Sequence, residues 1–140
     1  MNYQETFDFV MAKLHEQGGP SVISVRDAED DGNLCRYRGE NGRKCAVGHL
    51  ISDEEACVGG EVMIEILNNR LGNKWNPEEL EFLTGLQELH DKHPDTMVNT
   101  FRAYLVGSKM YKEDYNDLFK SFLDKYSLKD SRPEVSWLRV

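Results

Sequence analysis

Apolar side chains recur every three to four residues along much of this chain, which is the spacing typical of helices with one buried face. The first such stretch predicts a helix from Tyr3 to about Gln17. Asn2 can cap its first turn, and Glu5 follows at the spacing of a capping box. Two glycines and a proline after Gln17 indicate where this helix ends.

Further helices are predicted downstream, each from apolar periodicity combined with a start or stop signal. Ser52 and Glu55 repeat the capping-box pattern, and Asn76 followed by Pro77 is typical of a helix start. The predicted segments are 61–71, 77–93, 112–126 and a helix that begins after Asp95 and contains Met97, Phe101, Tyr104 and Leu105.

The segment between Cys35 and Cys45 predicts a short β-hairpin, because Asn41-Gly42 tolerates the positive φ angles of a tight turn. The apolar run from Cys45 to Ile51 follows, and we expect it to be buried as it enters a short helix. The predicted fold class is therefore mainly α (α+β), with four or five helices packed around the hairpin. One domain is expected at 1–130, followed by a C-terminal tail at 131–140.

Composition and charge narrow the classes of partner. The chain has 140 residues, enough for one ordinary core. Its net charge of −8 disfavours direct nucleic-acid binding, because an acidic surface repels phosphates. No apolar run approaches the ~18 residues that span a bilayer, and the polar start lacks the features of a signal peptide. The odd number of cysteines disfavours a disulfide framework, so we expect a cytoplasmic protein that does not bind membranes.

Two motifs carry a resemblance to a known family. Between Cys35 and Glu54 the chain contains Cys-Arg-Tyr-Arg-Gly, Gly-Arg-Lys-Cys-Ala-Val-Gly and Leu-Ile-Ser-Asp-Glu, and residues 86–91 read Leu-Gln-Glu-Leu-His-Asp. Together they resemble small phage and prophage proteins without an assigned activity, over roughly residues 7–91. Ser52 stands where that family often has proline, and alanine or cysteine is common at the position of His49. The resemblance implies a phage or prophage origin and, by analogy, binding to a host or defence component.

Cysteine and histidine residues near these motifs suggest two kinds of chemistry. Cys45 and His49 are spaced to share one face of a helix. With Cys35 and His90 they supply four nitrogen and sulfur ligands of the type that hold tetrahedral zinc. Their spacing does not match a paired Cys-x-x-Cys site, and buried cysteine often acts as a small apolar residue. We therefore expect neither a metal nor another cofactor.

A cysteine nucleophile is the second kind of chemistry. Cys45 could act in a small hydrolase or transferase with His90 or His49 as its base. Asp91 or Asp53 would orient that base. The alternative is that Cys45 belongs to one core strip with its apolar neighbours. His90 follows Leu83 and Leu86 at helical spacing, which favours a buried neutral imidazole. An enzyme is the less favoured interpretation.

A basic cluster on the predicted hairpin provides a candidate ligand site. The forked guanidinium groups of Arg36 and Arg38, together with Lys44, could hold a phosphate or carboxylate, and Tyr37 could add a stacking surface. This pattern predicts an alternative function as a module that sequesters a nucleotide-like anion. The competing interpretation is that these cations pair with the acidic residues nearby.

The C-terminal tail provides a candidate protein contact. Trp137, Leu138 and Arg139 lie together, and tryptophan and arginine are enriched at binding hot spots. Trp137 is equally suited to pack into the core. The function we favour is a non-enzymatic accessory protein of phage type that binds and modulates or inhibits a host or anti-phage defence protein.

Overall fold

The computed structural model describes residues 1–21, 37–60, 62–98 and 112–140, except for the side chains of residues 40, 97 and 98. These ranges contain six α-helices and two 3₁₀ helices. The α-helices are α1 (Tyr3–Gln17), α2 (Asp53–Gly59), α3 (Ile64–Arg70), α4 (Pro77–Asp91), α5 (Pro94–Val98) and α6 (Lys112–Lys125), and the 3₁₀ helices are Glu40–Gly42 and Val47–Leu50. The prediction of a mainly α fold is confirmed.

Helix α1 has the predicted bounds, and its caps explain them. The Asn2 side chain accepts a hydrogen bond from the Glu5 N–H at 3.0 Å. At the other end Gly18 adopts a left-handed conformation with φ 78°, and its N–H is bonded to the His15 carbonyl. The buried face consists of Phe7, Val10, Met11 and Leu14.

The capping box predicted at Ser52 and the helix start predicted at Asn76-Pro77 are both confirmed. At α2, Ser52 and Glu55 exchange side-chain and backbone hydrogen bonds of 2.9 and 3.1 Å. At α4, Asn76 and Glu79 form the same pair at 2.8 and 3.1 Å, and Pro77 occupies the first turn. These caps satisfy N–H groups that a helix leaves free at its start, which fixes where α2 and α4 begin.

Two predicted helices differ from the structure at their bounds. Among the described residues of the segment predicted at 61–71, the helix runs from Ile64 to Arg70, because Met63 is extended and offers no side-chain cap. Gly60 adopts φ 66° and ψ −118°, a conformation that does not continue a helix. The helix predicted to begin after Asp95 corresponds to α5, which covers Pro94–Val98. Its predicted members Phe101, Tyr104 and Leu105 lie outside the described residues.

The predicted β-hairpin is wrong over the described part of its range, residues 37–46, where no strand occurs. The turn itself is present, since Asn41 and Gly42 have φ values of 59° and 73°. A backbone hydrogen bond of 2.7 Å from the Gly39 N–H to the Arg43 carbonyl closes it. Strand pairing does not extend from this turn within residues 37–46, and the side chains of Tyr37 and Arg38 bond to other segments, as described below. Cys35 and Arg36 lie outside the described residues.

An aromatic cluster joins α1, α4 and α6. Phe82 of α4 packs its ring at 5.5 Å from Phe122 and at 5.0 Å from Tyr126, and Phe7 of α1 lies 6.1 Å from Phe119. Gly85 permits this approach, since a Cβ there would lie 2.9 Å from the Phe122 ring. The cluster forms the centre of the core.

The C-terminal tail packs back on this core. Leu138 is 2% exposed, and the Trp137 indole N–H donates to the Leu14 carbonyl at 2.8 Å. Arg132 lies 3.5 Å above the Phe119 ring and pairs with Asp130 at 2.8 Å. In the described ranges, no helix has the length and apolar character needed to cross a membrane.

Candidate functional site

The side-chain amide of Gln17 joins the end of α1 to the segment that contains Cys45 and His49. Its Nε2 donates to the carbonyls of Gly19 and Lys44, both at 2.8 Å. Its Oε1 accepts from the Lys44 N–H at 3.0 Å and lies 2.8 Å from Nε2 of His49. Because an amide oxygen only accepts, the proton in that last bond belongs to the histidine.

His49 is held in its neutral form. Burial lowers the pKa of its imidazole to about 4, and the positive charge of Lys44 adds to this effect. His90, Arg38 and Lys13 act in the same direction more weakly. His49 therefore serves as a neutral hydrogen-bond donor to Gln17 at physiological pH.

His90 is the most completely bonded histidine of this region, and its side chain is 1% exposed. Its Nε2 lies 2.9 Å from the backbone N–H of Ser21, and its Nδ1 lies 2.9 Å from Oδ1 of Asp91. A backbone N–H only donates, so Nε2 must be the acceptor and Nδ1 must hold the proton that bonds to Asp91. Both ring nitrogens are thus used in internal contacts.

Asp91 and Gln87 extend this contact to the apolar segment. Oδ1 of Asp91 also accepts from Nε2 of Gln87 at 2.9 Å. Oε1 of Gln87 accepts from the Val47 N–H at 2.9 Å. A continuous chain of hydrogen bonds therefore runs from Ser21 through α4 to Val47. We call Ser21, His90, Asp91 and Gln87 the polar network.

Glycines allow the segments around the polar network to approach closely. A Cβ at Gly39 would collide with the Ser21 hydroxyl, and one at Gly48 would collide with the Tyr37 carbonyl. These two positions belong to the motif found in the sequence. Their small size is required by packing, since larger side chains would push the backbone segments apart.

Cys45 is fully buried at 0% exposure. Its backbone carbonyl accepts from the His49 N–H at 3.3 Å. In the part of the chain that the structure describes, its thiol makes no hydrogen bond to His49 or His90. Cys45, His49, His90 and Asp91 therefore lie in one region without bonding as a catalytic set. His49 bonds to Gln17, and Asp91 bonds to Gln87.

The same residues do not form a metal centre among the described ranges. No group of three or more His, Cys, Asp or Glu side chains there is arranged to hold a metal ion. Cys35, the fourth member of the proposed zinc set, lies outside those ranges. A metal ligand needs a free lone pair, and Nε2 of His90 already accepts from Ser21.

The predicted anion site is directed largely inward. Arg38 donates to the carbonyls of Tyr37, Gly48 and Ile51 at 3.1, 2.7 and 2.9 Å, and its Nε donates to Asp53 at 2.8 Å. Four of its five donors are thus engaged. The Arg38 hydrogen bond lowers the pKa of the Asp53 carboxyl.

Other members of that site are less available than the sequence suggests. Tyr37 is 6% exposed, and its hydroxyl donates to the Val62 carbonyl at 2.6 Å. Lys44 is half-buried, and both of its backbone polar groups bond to Gln17. Arg36 lies outside the described residues. Ligand binding by this cluster stays a prediction.

The predicted partner contact in the tail is only partly exposed. Trp137 is half-buried and Leu138 is buried. Arg139 is exposed, and its guanidinium donates to the carbonyls of Pro133 and Arg132, each at 2.8 Å. The tail therefore offers Arg139 to a partner more readily than its two apolar neighbours.

His93, to which the sequence assigned no role, lies between the tail and the core. Its ring is 5.0 Å from the Tyr115 ring and 5.1 Å from that of Trp137. Its Nδ1 accepts from the Asp95 N–H at 3.0 Å, so Nε2 holds the proton, and within the described ranges this atom has no hydrogen-bond partner. Burial lowers the pKa of His93.

A groove along α4 was not predicted from the sequence. It encloses about 1120 Å³ between α4, the loop before it, α3 and the end of α6. The lining residues are Glu65, Asn68, Asn73, Lys74, Trp75, Asn76, Pro77, Glu79, Leu80, Glu81, Thr84, Gly85, Glu88 and Lys125. Its only sequence signal is the polar stripe opposite the apolar face of α4, which is equally typical of any solvated helix face.

Comparison of the chain with protein families, with curated proteins and with solved structures finds no match.

Proposed function

We propose that this chain is a non-enzymatic binding protein of phage or prophage type that binds and inhibits a host or anti-phage defence protein. The single observation that supports this most is the state of His90, whose two ring nitrogens both bond to internal partners. His90 and Asp91, which could act in catalysis, instead form hydrogen bonds that join separate segments of the chain. Function is then left to the outer surface.

The burial of Cys45 supports the same proposal. A nucleophile must meet its substrate, and its base must reach the proton that it removes. Cys45 is sealed at 0% exposure, and the proton on Nε2 of His49 bonds to Gln17. A reaction at Cys45 would require both to be released from the core.

The phage context rests on the resemblance of the two motifs. Within the described ranges, their residues make internal contacts: Tyr37 with Val62, Arg38 with backbone carbonyls, and His90 with Ser21. We infer that the motifs encode a shared scaffold. Members of such a family would differ in their partners through their outer surfaces.

The experiment is affinity capture with the tagged full chain from bacterial lysates, with and without defence systems, followed by reconstitution with each purified candidate. We expect a stoichiometric complex and inhibition of the captured protein. The matched variant Cys45→Ala, which removes the thiol and keeps the site apolar, should bind and inhibit equally well. Failure of every candidate to bind, or loss of inhibition in a folded Cys45→Ala protein, would contradict the proposal.

A further inference from the structure

We propose that the groove along α4 is a docking site for a segment of a partner protein that presents Lys or Arg beside apolar side chains. This inference rests on the proposed function, because it names the surface with which a binding protein would hold its partner. Its support comes from the shape of the groove, the rigidity of one wall and the balance of charge.

The groove has the length of a peptide-binding surface. Its floor is one stripe of α4, made of positions spaced by three and four: Pro77, Leu80, Glu81, Thr84, Gly85 and Glu88. At a rise of 1.5 Å per residue this stripe extends about 17 Å, enough for about three turns of a docked helix. Thr84 is small, so a docked segment can approach the helix closely at that position.

One wall of the groove is held rigidly. The Asn68 side chain bonds to both backbone groups of Trp75, donating to its carbonyl at 3.2 Å and accepting from its N–H at 2.9 Å. Gly72 and Asn73 make the turn before it with φ values of 72° and 58°. A wall already fixed in place reduces the ordering cost of binding.

The charges in the groove favour a basic occupant. Its lining contains the glutamates Glu65, Glu79, Glu81 and Glu88 but only the lysines Lys74 and Lys125. Both lysines already hold carboxylates, Lys74 that of Glu55 at 2.6 Å and Lys125 that of Glu81 at 2.5 Å.

Glu65 makes no ion pair with any residue in the described ranges. Glu79 pairs with the N-terminal ammonium at 3.4 Å and Glu88 with Lys92 at 3.7 Å. The lining still contains two more glutamates than lysines, so its formal charge is negative, and Glu65 supplies the carboxylate that is open to a partner cation. A Lys- or Arg-bearing segment complements it, whereas a second copy of this chain, with its net charge of −8, is repelled.

Apolar contact is available beside the charges. Leu80 is half-buried in the floor, and the Trp75 ring lies under the Lys74 ammonium at 5.7 Å. A partner cation would meet the glutamates, while a neighbouring apolar side chain covers Leu80. The expected ligand is thus amphipathic as well as basic.

The test selects displayed random peptides against the full chain and measures the best binder by fluorescence anisotropy. We expect enriched peptides to combine Lys or Arg with Leu or aromatic residues. The double variant Glu81→Lys/Glu88→Lys should bind the selected peptide at least about tenfold more weakly, because two groove charges are reversed. The control Glu54→Lys/Glu134→Lys changes the net charge equally outside the groove and should bind within about twofold of the original chain.

Four outcomes would overturn the groove proposal: no enrichment, enrichment of acidic or uncharged peptides, equal weakening by both double variants, or none by the groove variant. Binding of the captured partner to the groove variant distinguishes failure of the groove proposal from failure of the proposed function. A partner that binds the groove variant as tightly as the original chain contradicts the groove alone. Absence of any reconstituted complex contradicts the binding function itself. Thermal unfolding of all variants verifies that each is folded.

Discussion

Helix α4 has two sides that differ in almost every respect. One side places His90 in the core, with each ring nitrogen matched to one fixed partner. The other side places Glu81 and Glu88 along an open groove, where a lysine and solvent are their neighbours. Histidine and aspartate in a sequence motif can thus have a structural role. Glutamates on the opposite side of the same helix line the groove in which we propose that a partner binds. Substitutions on the two sides should therefore have opposite consequences.

The largest loss of stability is expected from the buried side. His90→Leu should lower the free energy of unfolding by about 3 kcal/mol, since the buried Ser21 N–H loses its His90 acceptor, at roughly 1–3 kcal/mol, and Asp91 loses one of its hydrogen bonds, at about 1 kcal/mol. Chemical denaturation measures this value. Lys120→Leu, on the exposed face of α6, is the control and should change it by no more than about 0.5 kcal/mol. Equal stability of the His90 variant would show that the polar network is not a scaffold.

A second substitution tests whether Arg38 has a structural role or belongs to a ligand site. Arg38→Ala should cost about 2 kcal/mol without any ligand, because three backbone carbonyls lose a charged donor. Asp53→Ala removes only the exposed partner and should cost clearly less stability than Arg38→Ala, because solvent screens that ion pair. Thermal-shift measurements with nucleotides provide the contrast. An unchanged stability in Arg38→Ala, accompanied by loss of a nucleotide-induced shift, would favour the anion-binding alternative.

A smaller effect is expected in the dependence of stability on pH. The folded pKa of His49 is about 4, below its value in the unfolded chain, near 6.5. Below pH ~6.5 His49 binds a proton in the unfolded chain but stays neutral in the folded one. Stability therefore falls as the pH drops from ~6.5 towards 4. His93, whose pKa is also lowered, contributes in the same direction.

His49→Gln keeps a donor for Gln17 and should flatten part of this decline, as measured by denaturation at a series of pH values. The Lys44, Arg38 and Lys13 charges that oppose protonation remain in the variant. A variant whose stability declines as steeply as that of the original chain between pH 6.5 and 4 would show that His49 does not carry the effect.

The smallest loss of stability is expected on the open side of α4. Glu81→Lys breaks an exposed ion pair with Lys125, and such pairs contribute little to stability because solvent screens their charges. Its midpoint of unfolding should therefore stay close to that of the original chain, although the groove loses a negative charge. A loss comparable to that of His90→Leu would remove the contrast between the two sides.

Local sequence signals predicted most helix bounds correctly because they are short-range. The caps at Asn2, Ser52 and Asn76 involve residues three positions apart, and each acts where the sequence placed it. The turn at Asn41-Gly42 was also predicted, since positive φ depends on the residues themselves. The strands predicted beside it do not form in residues 37–46, where the side chains make contacts outside the turn: Tyr37 bonds to Val62, and Arg38 bonds to Gly48 and Ile51.

The candidate site was only partly predictable for the same reason. Helical spacing placed His90 on the buried face, as observed. Its partner Ser21, and the role of Gln17 as the link to His49, involve contacts across 69 and 32 positions that periodicity does not encode. The groove was not predicted, because exposed glutamates on a helix do not indicate in the sequence which other segments pack beside them.

The reactivity of Cys45 tests the central claim most directly. In a Cys35→Ser/Cys57→Ser background the only thiol is Cys45, whose alkylation by iodoacetamide can be followed by mass spectrometry. We predict strong protection in the native protein and release of that protection only with global unfolding in denaturant. Alkylation in native conditions faster than that of a free cysteine would contradict the account, because it would reveal an accessible thiolate activated by its surroundings.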